Sequence, residues 1–373
     1  MNPGSPSSAG PREPEAVPSR APRRWWLAIL AVFVVGLVAL AAVIFEAQRR
    51  IVTPYQGYEG SETYVEVPQG AGVVAIARAL ARAGVVRDET TFRIAAWRLG
   101  ASRQLKAGEY QFAGPVTAEE VVRKLVRGEV FLRTITFPEG LTYRDMAGLF
   151  ESRGFGPASA FVSAARNGAL IADLDPAARD LEGYLFPETY SLARAATAAD
   201  LVRMMVGQFR KVHAEVRGSH AGTRPLREVV TLASLVEKET AVPGERPTVA
   251  AVYLNRLRIG MPLQCDPTVI YALVKAGQWD GNLTRTNLQV DSPYNTYRYP
   301  GLPPGPIANP GRGAIAAALA PSDVNYLYFV SRNDGSHEFA ATLPEHNRNV
   351  QRYQVQYFRE KRMRERSGGG QGR

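Results

Sequence analysis

The segment Leu226 to Thr240 (LREVVTLASLVEKET) carries two carboxylates, Glu237 and Glu239, at the end of an apolar run. At 100° per residue, Leu226, Val229, Val230, Leu232, Ala233, Leu235 and Val236 fall on one broad helix face, and the two glutamates flank it at similar angles. A carboxyl on that flank can point into a half-buried cleft, where desolvation raises its pKa toward the range a general acid needs. The plain alternative is two solvated glutamates at a charged helix end. The helical wheel leaves the choice between Glu237 and Glu239 open.

Two other segments have restricted backbones and the polar and aromatic side chains of a binding groove. Asp266-Pro267-Thr268 follows a tight Gly260-Met261-Pro262 turn, and Ser292-Pro293-Tyr294-Asn295-Thr296-Tyr297 leads into Gly301-Leu302-Pro303-Pro304-Gly305-Pro306-Ile307. Aromatic rings stack on pyranose faces, while amide and hydroxyl groups in rigid loops bond sugar hydroxyl and N-acetyl groups. Gln264, Asp266, Tyr294, Asn295, Thr296 and Tyr297 are therefore expected to face a substrate, with packing as the alternative for each. The aromatic, acidic, proline-broken loop Asp180 to Tyr190 adds Glu182 and Glu188 as backup carboxylates, although its Gly and Pro suggest a role in shape.

Other chemistries find little support. His213, His220, His337 and His346 are scattered and Cys265 is the only cysteine, so no metal site and no cofactor is expected. The net charge of +10 raises nucleic acid as a partner, but part of the excess sits in the tails and no zinc finger, RNA-recognition signature or basic recognition helix accompanies it. Anionic lipid or an anionic wall polymer fits better.

The elements that must hold these residues begin with a membrane anchor. Trp25 to Phe45 contains no charged or strongly polar side chain, long enough at about 1.5 Å per residue to span the hydrocarbon layer. A cleaved signal would have a shorter apolar core and a small-residue cleavage site in place of Glu46-Ala47-Gln48-Arg49-Arg50. Arg12, Arg20, Arg23 and Arg24 precede the span and Arg49 and Arg50 follow it, which favours a cytoplasmic N-terminus and an extracytoplasmic remainder.

Periodicity then predicts a strand at Thr63–Val67, helices over Val73–Ala83 and Asp88–Leu99, a turn into a strand over Leu105–Phe112, a helix capped by Thr117 and Glu120, and a strand at Phe131–Phe137. Beyond Pro138-Glu139-Gly140-Leu141-Thr142, helices are expected near Tyr143–Ser152, Pro157–Asn167, Ala198–Arg217, Pro225–Thr240, Glu245–Ile259 and Arg312–Leu319, with a hairpin of Tyr326–Ser331 and His337–Ala341. The fold class expected is α+β. A disordered cytoplasmic tail (1–24) precedes a transmembrane helix (25–45), a linker (46–62), a small α/β subdomain (63–137), a mainly helical catalytic domain with a C-terminal β-hairpin element (138–358) and a basic flexible tail (359–373).

LEGYLFPETY, ASLVEKET, VYLNRLRIGMPLQCDPTVIYAL, SPYNTYRYPGLPPGPIANPG, YLYFVSRNDGSHEF and the closing HNRNV occur in this order from Pro138 to about Tyr353. In these motifs the chain resembles the MltG (YceG-like) endolytic murein transglycosylases. The anchor, a LysM-like module at Thr63 to Phe137 and the junction after it are similar to that family's layout.

The resemblance implies cleavage of the β-1,4 bond between N-acetylmuramic acid and N-acetylglucosamine in nascent peptidoglycan strands, leaving 1,6-anhydromuramyl ends and terminating glycan elongation. It assigns the acid/base role to Glu239, with Glu237 as the competing choice, and it implies neither metal nor cofactor. It also implies an inner-membrane enzyme with a periplasmic catalytic domain, whose partners are the glycan strands, the cytoplasmic membrane and peptidoglycan synthases of the elongation or division machinery. A water-using muramidase pairing Glu237 or Glu239 with Glu188, and a non-catalytic wall-binding scaffold, are the competing expectations. The LysM-like module is expected either to bind glycan or to act as a spacer.

Overall fold

The computed structural model describes residues 25–218 and 224–368, so the tail expected over 1–24 lies outside the described residues. The chain divides into two compact units, residues 1–131 and 132–373.

In the first unit, α1 (Trp25–Val52) is apolar enough to cross a membrane, with its apolar residues exposed. It does not stop at Phe45. Glu46 bonds both Arg49 and Arg50 one turn on, and the helix continues until Ile51 is 2% exposed within the unit's core. The linker expected from residue 46 is thus helical through Val52, and the chain after it is held where Tyr55 and Val116 exchange backbone hydrogen bonds.

Strand β1 (Glu62–Val67) follows, then α2 (Val73–Arg82), α3 (Glu89–Arg98), β2 (Gly108–Ala113) and α4 (Ala118–Arg127). β1 and β2 pair antiparallel with Val65 opposite Tyr110 and Val67 opposite Gly108. Alternation sends Val65 and Val67 inward with Tyr110 and Phe112, against Ile76, Leu80, Phe92, Val121 and Leu125 from the helices. The start signals act as written. Asp88 accepts from the Thr91 amide, and Thr117 and Glu120 form a reciprocal capping box. Gly84 ends α2 at φ +69°, where a Cβ would lie 2.6 Å from the Gly57 carbonyl carbon, so no other residue fits.

The second unit opens with β3 (Arg133–Thr136), α5 (Tyr143–Ser152), α6 (Ala158–Ala165) and β4 (Thr189–Leu192). β3 pairs antiparallel with β4, Ile135 opposite Tyr190. This corrects the expected 63–137 module: its last strand belongs to the second unit, because the partner that buries Ile135 lies far along the chain. The loop before β4 is fixed by Gly183, at φ +84°, where a Cβ would meet Pro306 Cγ at 2.5 Å and Val230 Cγ1 at 2.8 Å.

Four longer helices follow: α7 (Ala198–Arg217), α8 (Leu226–Glu239), α9 (Arg246–Arg258) and α10 (Asp266–Ala276). Every residue from Val229 to Val236 is buried, including Thr231 and Ser234. Helix α8 is therefore enclosed by neighbours rather than half-solvated. Ser234 fits inside because its hydroxyl donates to the Thr231 carbonyl at 2.7 Å and accepts from the Ile307 amide at 3.1 Å.

The unit ends with α11 (Arg312–Leu319), β5 (Tyr328–Ser331) and β6 (His337–Ala340), the expected hairpin, then α12 (Leu343–Val350) and α13 (Tyr357–Gly368). Wider π-helical turns over Gln351–Gln356 join the last two helices. The stretch from residue 359, expected as a flexible tail, is helical to Gly368. Its Arg, Glu, Lys and Met residues favour helix, and no Pro or Gly interrupts them before Gly368. The whole is a helix-rich α+β protein with one N-terminal apolar helix and three two-stranded antiparallel sheets among the described residues.

Candidate active site

Glu239 is the last residue of α8, and the chain turns away at Thr240, whose backbone is extended. The Glu239 carboxylate points toward α9 and the turn before α10. Its Oε2 accepts from the Tyr253 hydroxyl at 3.1 Å and from the Cys265 thiol at 3.6 Å. Its Oε1 accepts no hydrogen bond among the described residues. Burial raises the pKa of Glu239, and the neighbouring charge of Asp266 raises it further. The Tyr253 hydroxyl and the charge of His337 oppose the rise without cancelling it. Burial also pushes the Cys265 thiol and Tyr253 phenol well up, so both remain protonated donors.

Glu237, two residues earlier, has a different fate. Both of its oxygens are held, Oε1 by Arg246 at 3.0 Å and Oε2 by the Gly311 amide at 2.9 Å. The same Arg246 nitrogen reaches Glu139 at 3.1 Å. Burial raises the Glu237 pKa, opposed by the Gly311 amide and by Arg246. Its side chain is 6% exposed and braces α8 to α9 and to the start of α11.

Around Glu239 the chain is pinned by side chains that themselves never reach solvent. Thr296 accepts from the Cys265 amide at 3.0 Å and bonds Thr268 at 2.9 Å, and the Thr268 hydroxyl donates to the Cys265 carbonyl at 2.6 Å. Asn295 donates to the carbonyls of Leu288 and Val290 at 3.0 and 2.8 Å. Asn295 and Thr296, expected to face substrate, are 0% and 1% exposed: they build the wall of the site from within. Tyr297, half-buried, donates to Asp266 at 2.5 Å, and Asp266 and Gln264 are exposed beside it. Gln264 adopts a left-handed backbone, φ +49°, which its amide bond to the Thr296 carbonyl at 3.2 Å helps hold.

The other expected residues lie elsewhere. Tyr294 packs on Tyr271, centroids 4.9 Å apart, under the ammonium of Lys275. Glu182 is 3% exposed and accepts from the Tyr143 amide at 3.0 Å, Asn309 at 3.1 Å and Tyr271 at 3.3 Å. Burial pushes its pKa up to about 8. It ties α5 and α10 to the loop at Asn309. Glu188 is exposed, and its carbonyl accepts from Phe137 at the end of the β3–β4 pair.

Sequence reasoning missed Tyr253, Cys265, His337 and Arg256. His337 bonds Glu245 at 2.7 Å, and Glu245 in turn accepts from Thr240 at 3.3 Å. Arg256, buried and with its pKa lowered by burial, donates to the carbonyls of Leu327 and Leu263 at 2.6 and 2.7 Å, fastening the hairpin and the turn before α10 to one helix. Only Tyr253, fourteen residues from Glu239, carried a local signal: an aromatic with a polar tip within the apolar run Val249 to Leu254. Among the described residues no group of three or more His, Cys, Asp or Glu could hold a metal.

A YceG-like family model matches residues 65–352. The endolytic murein transglycosylase of Bacillus subtilis is 31% identical over 322 residues, 82% of this chain and 88% of that protein. The endolytic murein transglycosylase of Streptococcus pneumoniae is 32% identical over 330 residues, 78% of this chain and 58% of its own length. A crystal structure of a yceG-like protein from Listeria monocytogenes matches with a TM-score of 0.53 at 30% identity, covering 77% of this chain and 98% of that one. By the reach of the family model and by these relatives, the chain belongs to the YceG-like family.

Proposed function

We propose that the protein is an endolytic lytic transglycosylase, a lyase acting on the glycan of peptidoglycan, with Glu239 as its single acid and base. One observation carries the assignment within the site: Glu239 has one oxygen held by Tyr253 and the other without a hydrogen bond among the described residues, whereas both oxygens of Glu237 are occupied. The family relatives named as endolytic murein transglycosylases support the substrate and the reaction class.

The chemistry follows from the environment. With its pKa raised by burial, Glu239 holds a proton to give. It protonates the glycosidic oxygen between N-acetylmuramic acid and N-acetylglucosamine, and the C1–O bond breaks. The resulting carboxylate is stabilised by the Tyr253 hydroxyl. It then takes the proton of the muramyl C6 hydroxyl as that oxygen bonds C1, giving a 1,6-anhydromuramyl end and restoring the acid. No water is consumed. Gln264, Asp266 and Tyr297, exposed or half-buried next to Cys265, are the side chains placed to meet the sugar rings.

The apolar α1 supports a single-pass anchor, and the cations that precede it support a cytoplasmic N-terminus with both folded units outside, in the periplasm. The β1–α2–α3–β2 order of the first unit supports a LysM-like module. In this setting the enzyme would act on nascent strands, end their elongation and work beside a peptidoglycan synthase.

The test is product mass. Wild-type protein on uncrosslinked glycan should release anhydromuramyl-ended fragments, and Glu239→Gln should release none while keeping its fold. Products heavier by one water would establish the muramidase reading instead, and full activity in Glu239→Gln would remove the assignment.

A further inference from the structure

Two adjoining cavities in the second unit, about 520 and 200 Å³, share Asp180, Glu182 and Lys275 along their floor and rim. Arg179 and Arg227 line the larger, and Arg144 and Arg166 the smaller. Arg227 is neutralised by the buried Asp175, at 2.9 Å, and also donates to the Pro304 carbonyl at 2.9 Å. The others are not neutralised. Arg144, Arg166, Arg179 and Lys275 are exposed and reach no carboxylate within ion-pair distance among the described residues; Arg144 and Lys275 lie over tyrosine rings instead.

Against these four cations the trough sets two carboxyl groups, Asp180 and the buried Glu182. Glu182 contributes no charge at neutral pH because its pKa stands at about 8. Four exposed cations without a carboxylate partner give the trough a positive potential that an anion would complement. The walls add rings and prolines, Tyr294 with Pro293, Pro304 and Pro306, suited to the apolar stems of a peptide.

The trough is also connected to the reacting carboxylate. Helix α10 runs from Asp266, which bonds Tyr297 beside Glu239, to Lys275 in the trough, nine residues or roughly 14 Å of helix. Tyr294 lies three residues before Tyr297 on the same pinned loop.

We propose that this trough binds the carboxylate-bearing stem peptide that hangs from a muramyl residue of the strand, so that the enzyme distinguishes peptide-bearing from bare glycan. The proposal rests on the peptidoglycan reading for its ligand, but its test does not depend on cleavage. Full-length protein carrying Glu239→Gln, in lipid nanodiscs, is titrated with free stem pentapeptide and separately with glycan strands stripped of peptide. The same is done after adding Arg166→Ala, Arg179→Ala and Lys275→Ala, all at exposed positions. The triple variant should bind pentapeptide about tenfold more weakly or not at all, while peptide-free glycan binding stays close to its starting value. Lysine in place of both arginines, with Lys275 retained, should restore much of the peptide affinity.

The proposal is overturned if the parent protein does not bind the pentapeptide, if the triple variant binds it as before, or if bare glycan loses affinity equally, which would make the trough a sugar subsite. Failure of the lytic reading would appear separately, as wild-type protein that yields no anhydro product.

Discussion

Tyr253→Phe isolates the hydrogen bond that opposes the rise in the Glu239 pKa. The ring is 1% exposed and meets Phe329 edge-on at 6.1 Å, so phenylalanine keeps the packing and removes only the hydroxyl. That hydroxyl donates to Glu239 Oε2 at 3.1 Å and is the largest influence opposing the burial that raises the acid's pKa. A hydrogen bond to a charged group is worth about 1.5–3 kcal/mol, and 1.36 kcal/mol corresponds to one pKa unit. Its loss should therefore raise the Glu239 pKa further. Since the first step needs protonated Glu239, the alkaline limb of kcat/KM for anhydro-product release should move to higher pH. The assay is initial rates on uncrosslinked strands across about pH 5 to 10, a span that takes in the alkaline limb. A tyrosine that only packs would lower the rate at every pH without moving the limb. An unmoved limb, or one displaced to lower pH, would refute the coupling of Tyr253 to Glu239.

Glu182 is raised in the folded state to about 8 from an ordinary 4.5, so the stability it contributes is present below pH 4.5 and lost as pH rises through 8. Glu182→Gln, which keeps the shape and the two bonds accepted at Oε1 and turns its amide nitrogen into a donor to the Tyr271 hydroxyl, should therefore gain on wild type by roughly 4 kcal/mol between about pH 5 and pH 8.5 in urea unfolding, and equal gains at both pH values would count against a neutral buried acid. Glu237→Ala leaves the Gly311 amide without its partner and Arg246 with only the exposed Glu139, and should cost about 2 kcal/mol in thermal or urea unfolding without changing the mass of any product formed. A changed product would mean that Glu237 takes part in the chemistry. Gly183→Ala forces a Cβ to within 2.5 Å of Pro306 in a left-handed backbone, and should destabilise the second unit by about 2 kcal/mol or more. Unaltered unfolding would show that the loop has room to shift.

What could be read in the sequence was local. Thr117-x-x-Glu120 and Thr197-x-x-Asp200 begin helices because each pair satisfies its own orphan amides, and no distant residue is needed to interpret them. The apolar run from Trp25 is equally self-sufficient. What could not be read depended on partners far along the chain. β3 alternates like a strand of the first unit, yet Tyr190, not a neighbour in sequence, decides where it belongs. Helix α10 escaped notice because Cys265 at its N-cap makes no side-chain cap bond and Pro267 follows at once, a pattern that also reads as a turn. Asn295 and Thr296 looked like groove residues because polarity was visible and burial was not. The choice between Glu237 and Glu239 was invisible for the same reason: it depends on Gly311 and Arg246 for one and on Tyr253 for the other.

The unbroken course of α1 has a mechanical consequence. Twenty-one of its residues, Trp25 to Phe45, cover about 31 Å, and the remaining seven carry the same rigid rod about 10 Å further before Ile51 locks into the core of the first unit. A flexible leash would let that unit sample a hemisphere and forget the orientation of the bilayer. A mast does not. Any tilt or rotation of the helix would be transmitted to β1, β2 and the helices packed on them, so the first unit keeps a fixed bearing relative to the axis of α1. Inserting glycines between Arg50 and Thr53 would turn the mast into a leash, and fluorescence anisotropy of a label on α4 would register the lost alignment.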